Sequence, residues 1–132
     1  MKIAFASSEI VPYAKTGGLA DVAGSLPKEL AKLGCDVKAF MPKYYSVDEH
    51  KHNLKYLFDI GEMKIRVDGA IQHVHVFEGT MPNSTVPVYF IDCPKYFHRH
   101  KIYTNDIDED ERFILFSKAV IELLQRFGWA PD

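Results

Sequence analysis

The sequence predicts an α/β fold with a mainly parallel sheet and a strand-rich insertion, and three observations carry that prediction. A short apolar run, Lys2 to Ser7, precedes a glycine pair and a stretch of helical periodicity. A second apolar run follows at Asp36 to Met41, and the chain closes on a long amphipathic segment. Strand, helix and strand in that order make a βαβ unit, whose two strands pair in parallel.

The first strand, Lys2-Ile3-Ala4-Phe5-Ala6-Ser7, is bounded by the turn-prone Ser7-Ser8, as suits a buried parallel strand. In the helix that follows, Leu19, Val22, Ala23, Leu26, Leu30 and Leu33 recur near the 3.6-residue period, which predicts that they form the buried face. Pro27 removes a backbone donor inside this pattern, so a kink or a restart is expected there. Gly34 stands where a left-handed residue ends a helix. The second strand stops at Pro42. Beyond it Tyr56–Ile60, Lys64–Val67, Gln72–Phe77 and Val86–Ile91 read as strands, with Asp68-Gly69 as a hairpin turn and Pro82-Asn83-Ser84 as a loop. The last of these is apolar enough to be central. A final helix is expected over about Glu109 to Phe127, burying Phe113, Phe116, Val120, Leu123, Leu124 and Phe127, with Ile114 and Ile121 widening the stripe and Gly128 ending it.

Composition bounds what such a chain can do. Its 132 residues fit one domain, 1–132, with a real core. A net charge of −2, spread along the sequence, provides no basic face for nucleic acid. No apolar run approaches the roughly 20 residues that span a bilayer. Met1 leads straight into the first strand with no leader pattern, so a cytoplasmic protein is expected. Cys35 and Cys93 stand in unrelated contexts and read as small thiols; no metal or other cofactor is expected. His73 and His75 share a strand face without a third ligand, and the acidic run Asp106 to Glu111 reads as a charged helix start, with Arg112 pairing locally.

The chemistry concentrates in Lys15-Thr16-Gly17-Gly18-Leu19-Ala20-Asp21-Val22, which sets a cation and two residues without side chains between strand and helix. A helix N-terminus offers unpaired N–H groups and the positive end of its dipole, and glycines let a phosphate approach that backbone closely. Lys15 would add a point charge, or it is simply an exposed loop lysine. Asp21 in the first turn is stabilised by the dipole whether or not it meets a ligand. The spacing fits neither a dinucleotide fingerprint nor a P-loop.

The octet closely resembles the N-terminal signature of bacterial glycogen synthases and plant starch synthases. Lys2 to Ala14, Gly24-Ser25-Leu26-Pro27-Lys28-Glu29-Leu30, Met41-Pro42-Lys43-Tyr44, Phe90-Ile91-Asp92-Cys93-Pro94 and Arg112-Phe113 are similar to later landmarks of the same family, and only about 45 to 85 lacks them. The resemblance implies a Rossmann-like N-terminal domain of a GT-B glycosyltransferase, one of two domains facing across a cleft, with the C-terminal nucleotide-binding domain absent from this chain. It implies transfer of glucose from ADP-glucose to the non-reducing end of an α-1,4-glucan with retention, without a metal. Lys15 would reach the phosphates of ADP-glucose, the Gly17-Gly18 backbone would lie against them, and Asp21 would accept hydroxyls of the acceptor sugar. Arg99 and Tyr103 match a loose arginine-to-tyrosine loop pattern, so Tyr103 could stack on a glucose ring, although His100 and Lys101 stand where glycine and proline are common. A solvated basic loop is the other reading of 98–103. A non-catalytic module binding glucan or nucleotide sugar is the alternative for the chain as a whole, and no role is assigned to Glu9.

Overall fold

A computed structural model describes all residues 1–132. Strand β1 (Lys2–Ala6) leads to helix α1 (Gly18–Lys32) and strand β2 (Asp36–Pro42). Strands β3 (Lys55–Tyr56), β4 (Met63–Val67) and β5 (Ala70–Thr80) precede β6 (Pro87–Asp92), a short helix α2 (Pro94–Phe97) and the long helix α3 (Glu109–Phe127). The strand order is β1-β2-β6-β5-β3, with β4 also paired to β5.

The sheet is mixed. Parallel pairing joins β1 to β2 and β2 to β6, whereas β5 runs antiparallel to β6, β3 and β4. The expected parallel character therefore holds for the half built by the βαβ unit. The expected strand-rich insertion, β3 to β5, supplies the antiparallel half, and β6 is central as predicted. Asp68 and Gly69 both have positive φ, 51° and 76°, which is the hairpin geometry their sequence suggested for the β4–β5 turn.

Both faces of the sheet are covered. Phe127 of α3 packs on Tyr89, while Tyr13, in the loop before α1, packs edge-on against Phe90. Successive strand residues point to opposite faces, so α3 and the loop that carries α1 lie on opposite sides. Phe40, Met41, Val76, Val88, Phe90 and Ile91 are fully buried between them.

Helix α1 does not bury the predicted leucine face. Its buried residues are Ala20, Ala23, Gly24 and Pro27, while Leu19, Val22, Leu26 and Leu33 are exposed. Backbone proximity explains this. A Cβ built on Gly24 would meet the Val11 carbonyl oxygen at 2.9 Å, and Val11 N–H donates to Ala20 O at 3.1 Å, so only small residues fit on that face. The helix is also continuous through Pro27, without the expected restart. Helix α3 has the predicted bounds and buries Phe116, Val120 and Leu123, but Ile114 and Ile121 are exposed and do not widen the stripe. Gly34 and Gly128 both adopt positive φ after their helices, 91° and 63°.

Candidate functional site

The glycine loop is held from below by the segment that leaves β1. Ile10, Tyr13 and Ala14 are buried, and the Tyr13 hydroxyl donates to Thr80 O at 3.1 Å. Tyr44, just past β2, donates its hydroxyl to Ser8 O at 2.6 Å. The loop therefore rests on three strands before it reaches Lys15. Neither Gly17 nor Gly18 has any atom within 4 Å of where a Cβ would stand, so the space above both is open.

Lys15 and Asp21 meet. The Lys15 ammonium donates to both carboxylate oxygens of Asp21, at 2.9 and 2.8 Å, and both side chains are more than half exposed. One turn of helix brings the predicted cation and the predicted carboxylate onto the same side of the loop. The N–H groups of Gly18 and Leu19 donate to no acceptor within the protein, as expected of a helix start, whereas Gly17 N–H is committed to Glu9. Two free backbone donors, a movable cation and open space above them can receive an anion.

The partner of Gly17 is Glu9, a residue that sequence reasoning left without a role. Glu9 is 2% exposed. One carboxylate oxygen accepts Thr16 N–H and Gly17 N–H, each at 3.1 Å; the other accepts the hydroxyls of Thr16 and Tyr103, each at 2.7 Å. Burial alone would push its carboxyl up, but the four hydrogen bonds outweigh it and hold the group down, from an ordinary 4.5 to about 2. No cation pairs with it.

Tyr103 thus stands beside the glycine loop with its hydroxyl already engaged. Having one proton, it donates to Glu9 and accepts from the Ser8 hydroxyl at 2.6 Å. Burial pushes its phenol further up from an ordinary value already well above neutral. Its ring remains partly exposed. A cavity of about 330 Å³ opens between the two loops, lined by Thr16, Tyr44, Ser46, Lys101 and Tyr103 among others.

The rest of the 98–103 loop is anchored by charge. Arg99 is neither a solvated loop residue nor a free ligand-binding group: it pairs with Asp108 at 2.7 Å and Asp106 at 3.0 Å, and donates to Lys95 O. The acidic run is the counterpart of these arginines. Arg112 is fully buried, pairs with Glu109 at 2.8 Å as predicted, and donates to Tyr96 O and Ile102 O, which fixes both ends of the loop. His73 and His75 of β5 both face Glu62, at 3.1 and 3.9 Å, and no group of three or more metal-ligating side chains is assembled anywhere. No helix is long and apolar enough to cross a membrane.

Residues 2–132 match the family model of the starch synthase catalytic domain. Glycogen synthase 1 of Geobacter metallireducens is 45% identical over the whole of this chain, and the glycogen synthase of Desulforudis audaxviator 43% identical. The chain spans 27% of the length of each. Among solved structures, the catalytic domain of starch synthase IV from Arabidopsis thaliana, bound to ADP and acarbose, superposes with a TM-score of 0.85 at 32% identity, covering 99% of this chain and 26% of that one.

Proposed function

The chain belongs to the starch synthase catalytic-domain family, and from that premise we propose that it forms the acceptor-side, N-terminal part of a two-domain glycogen or starch synthase. The complete enzyme moves glucose from ADP-glucose to the non-reducing end of an α-1,4-glucan with retention. A second domain, which binds the nucleotide, is its partner across the cleft. The ADP and acarbose bound by the Arabidopsis structure, a nucleotide and a sugar-like molecule, support this pairing of ligands.

The observation that carries the proposal is the Lys15–Asp21 pair over two unpartnered helix N–H groups. As the sugar C1–O bond breaks, negative charge gathers on the departing diphosphate, and a positioned cation with N–H donors stabilises that charge more than the ground state. Lys15 leaves Asp21 for the phosphates, together with Gly18 and Leu19 N–H; Gly17 contributes shape, its own N–H being held by Glu9. The released Asp21 carboxylate then accepts hydroxyls of the acceptor sugar. The exchange costs little, because an exposed ion pair is worth only about 0–1 kcal/mol.

The test uses this chain alone and as a chimera, in place of the matching first quarter of the Geobacter metallireducens enzyme. With ADP-glucose and glycogen the chain alone should release no ADP above a protein-free blank, whereas the chimera should turn over. Lys15→Ala in the chimera is expected to cost on the order of 3 kcal/mol of barrier, roughly a hundredfold in rate, and Lys15→Arg to restore only part of it. Turnover by the chain alone overturns the two-domain reading. Glucan or nucleotide-sugar binding by the chain alone, beside an inert chimera, favours a non-catalytic binding module instead.

A further inference from the structure

Glu9 hydrogen-bonds to both loops of the site with one side chain. Its two oxygens divide the work: one takes the Thr16 and Gly17 amides, and the other takes a hydroxyl from each loop, Thr16 and Tyr103, which lie 87 positions apart by their numbers, 103 less 16. Four donors converge on a buried carboxylate, and only a carboxylate has acceptors for all four; glutamine has the same shape but one oxygen. The chain continues through the Ser8 hydroxyl to Tyr103 and through Ser8 O to Tyr44, so the second anchor of the segment is tied into the same network. Without a cation beside it, Glu9 leaves Lys15 free to pair with Asp21.

We propose that Glu9 is a positioning residue that clasps the glycine loop to the 98–103 loop, so that Lys15, the free helix amides and the Tyr103 ring meet the donor and acceptor sugars as one rigid unit. This rests on the function proposed above. Glu9 itself contacts no substrate; it acts through Thr16, Gly17 and Tyr103. Preorganisation of this kind matters because a misplacement of about 1 Å in a catalytic site can cost up to a hundredfold. A cap serving only the glycine loop would leave Tyr103 out of account.

Amide hydrogen exchange on the 15N-labelled chain distinguishes the clasp from a local cap. Tyr103→Phe removes one hydroxyl at a partly exposed position and leaves the fold standing. Because a charge-assisted hydrogen bond is lost, exchange at Thr16 and Gly17 should quicken about tenfold, although neither residue hydrogen-bonds to the Tyr103 hydroxyl itself. Glu9→Gln should quicken exchange in both loops, and adding Tyr103→Phe to it should change little more. Unchanged Thr16 and Gly17 exchange in Tyr103→Phe overturns the proposal. In the chimera, Glu9→Gln should lower kcat/KM about tenfold with the melting temperature of Tyr103→Phe as the structural reference. Full activity of Glu9→Gln beside a crippled Lys15→Ala sinks the clasp and spares the functional reading; an active Lys15→Ala sinks that reading, and the exchange result still judges the clasp.

Discussion

Lys15 and Asp21 hold one another in water, which separates their part in stability from the binding proposed for them. Substituting either by alanine should move the melting temperature of the chain by no more than a few tenths of a kcal/mol permits, since the pair is exposed and screened; thermal melts check this directly. Glu9 is the opposite case. Its folded pKa lies below its unfolded one, so the folded state binds fewer protons between them, and the stabilisation it provides is complete above about 4.5 and fades as pH falls toward about 2. Acid titration followed by circular dichroism should therefore show a shallower loss over that window in Glu9→Gln than in the wild type. Asp108 and Glu109 are also held down, by Arg99 for the first and, against burial, by Thr104 and Arg112 for the second, so part of the acid limb remains in that variant. The legibility of these residues follows their sequence distance. Lys15, the glycines and Asp21 form a local pattern that one turn of helix converts into a site, whereas the partnership of Glu9 with Tyr103 arises only from the way the chain returns across the sheet.

Among the elements, α1 shows how periodicity can point the wrong way. Its leucines repeat at helical spacing, yet the face that meets the protein carries Ala20, Ala23 and Gly24, because the 10–14 loop comes within contact of the helix backbone. Small residues at a close approach leave no hydrophobic signal to read. Gly24→Ala should consequently destabilise the chain by about 1–3 kcal/mol, against the gain of about 1 kcal/mol that the same change brings in an open helix. Chemical denaturation measures the sign, and a stabilised variant would show that the loop yields. Leu26→Gln, on the exposed face, should stay within about 0.5 kcal/mol of the wild type. Helix α3 was legible to its last residue because its acidic start, apolar stripe and Gly128 agree with one another. Strand β3 was not: it ends at Tyr56, and although Leu57 N–H still donates to Val76 O in register, Leu57 O accepts the N–H groups of Ile60 and Gly61, which closes a turn where the strand was expected to continue.

At the scale of the whole molecule the sequence pattern located the βαβ half, whose strands are short and largely apolar, better than the antiparallel half, whose order depends on which edge the hairpin joins. That β5 would add to β6 rather than to β1 is decided by long-range pairing, and no local residue announces it. The result leaves β1 at one border of the sheet. Beyond β2 its backbone meets only Asp132, which donates its N–H to Lys2 O at 2.8 Å and accepts Lys2 N–H on its side chain at 2.7 Å. From Ile3 to Ala6 that flank carries a row of amides and carbonyls with no ladder neighbour, and such a row is a template for a second strand. As a purified 132-residue species, the chain should accordingly grow heavier with concentration in sedimentation velocity. Ala6→Lys, a charge placed at the exposed end of β1, should return it to a single slow boundary. The strand that carries the glycine loop is thus also the chain's point of colloidal weakness, and self-association along that border has to be held off before any binding by the loop can be measured in solution.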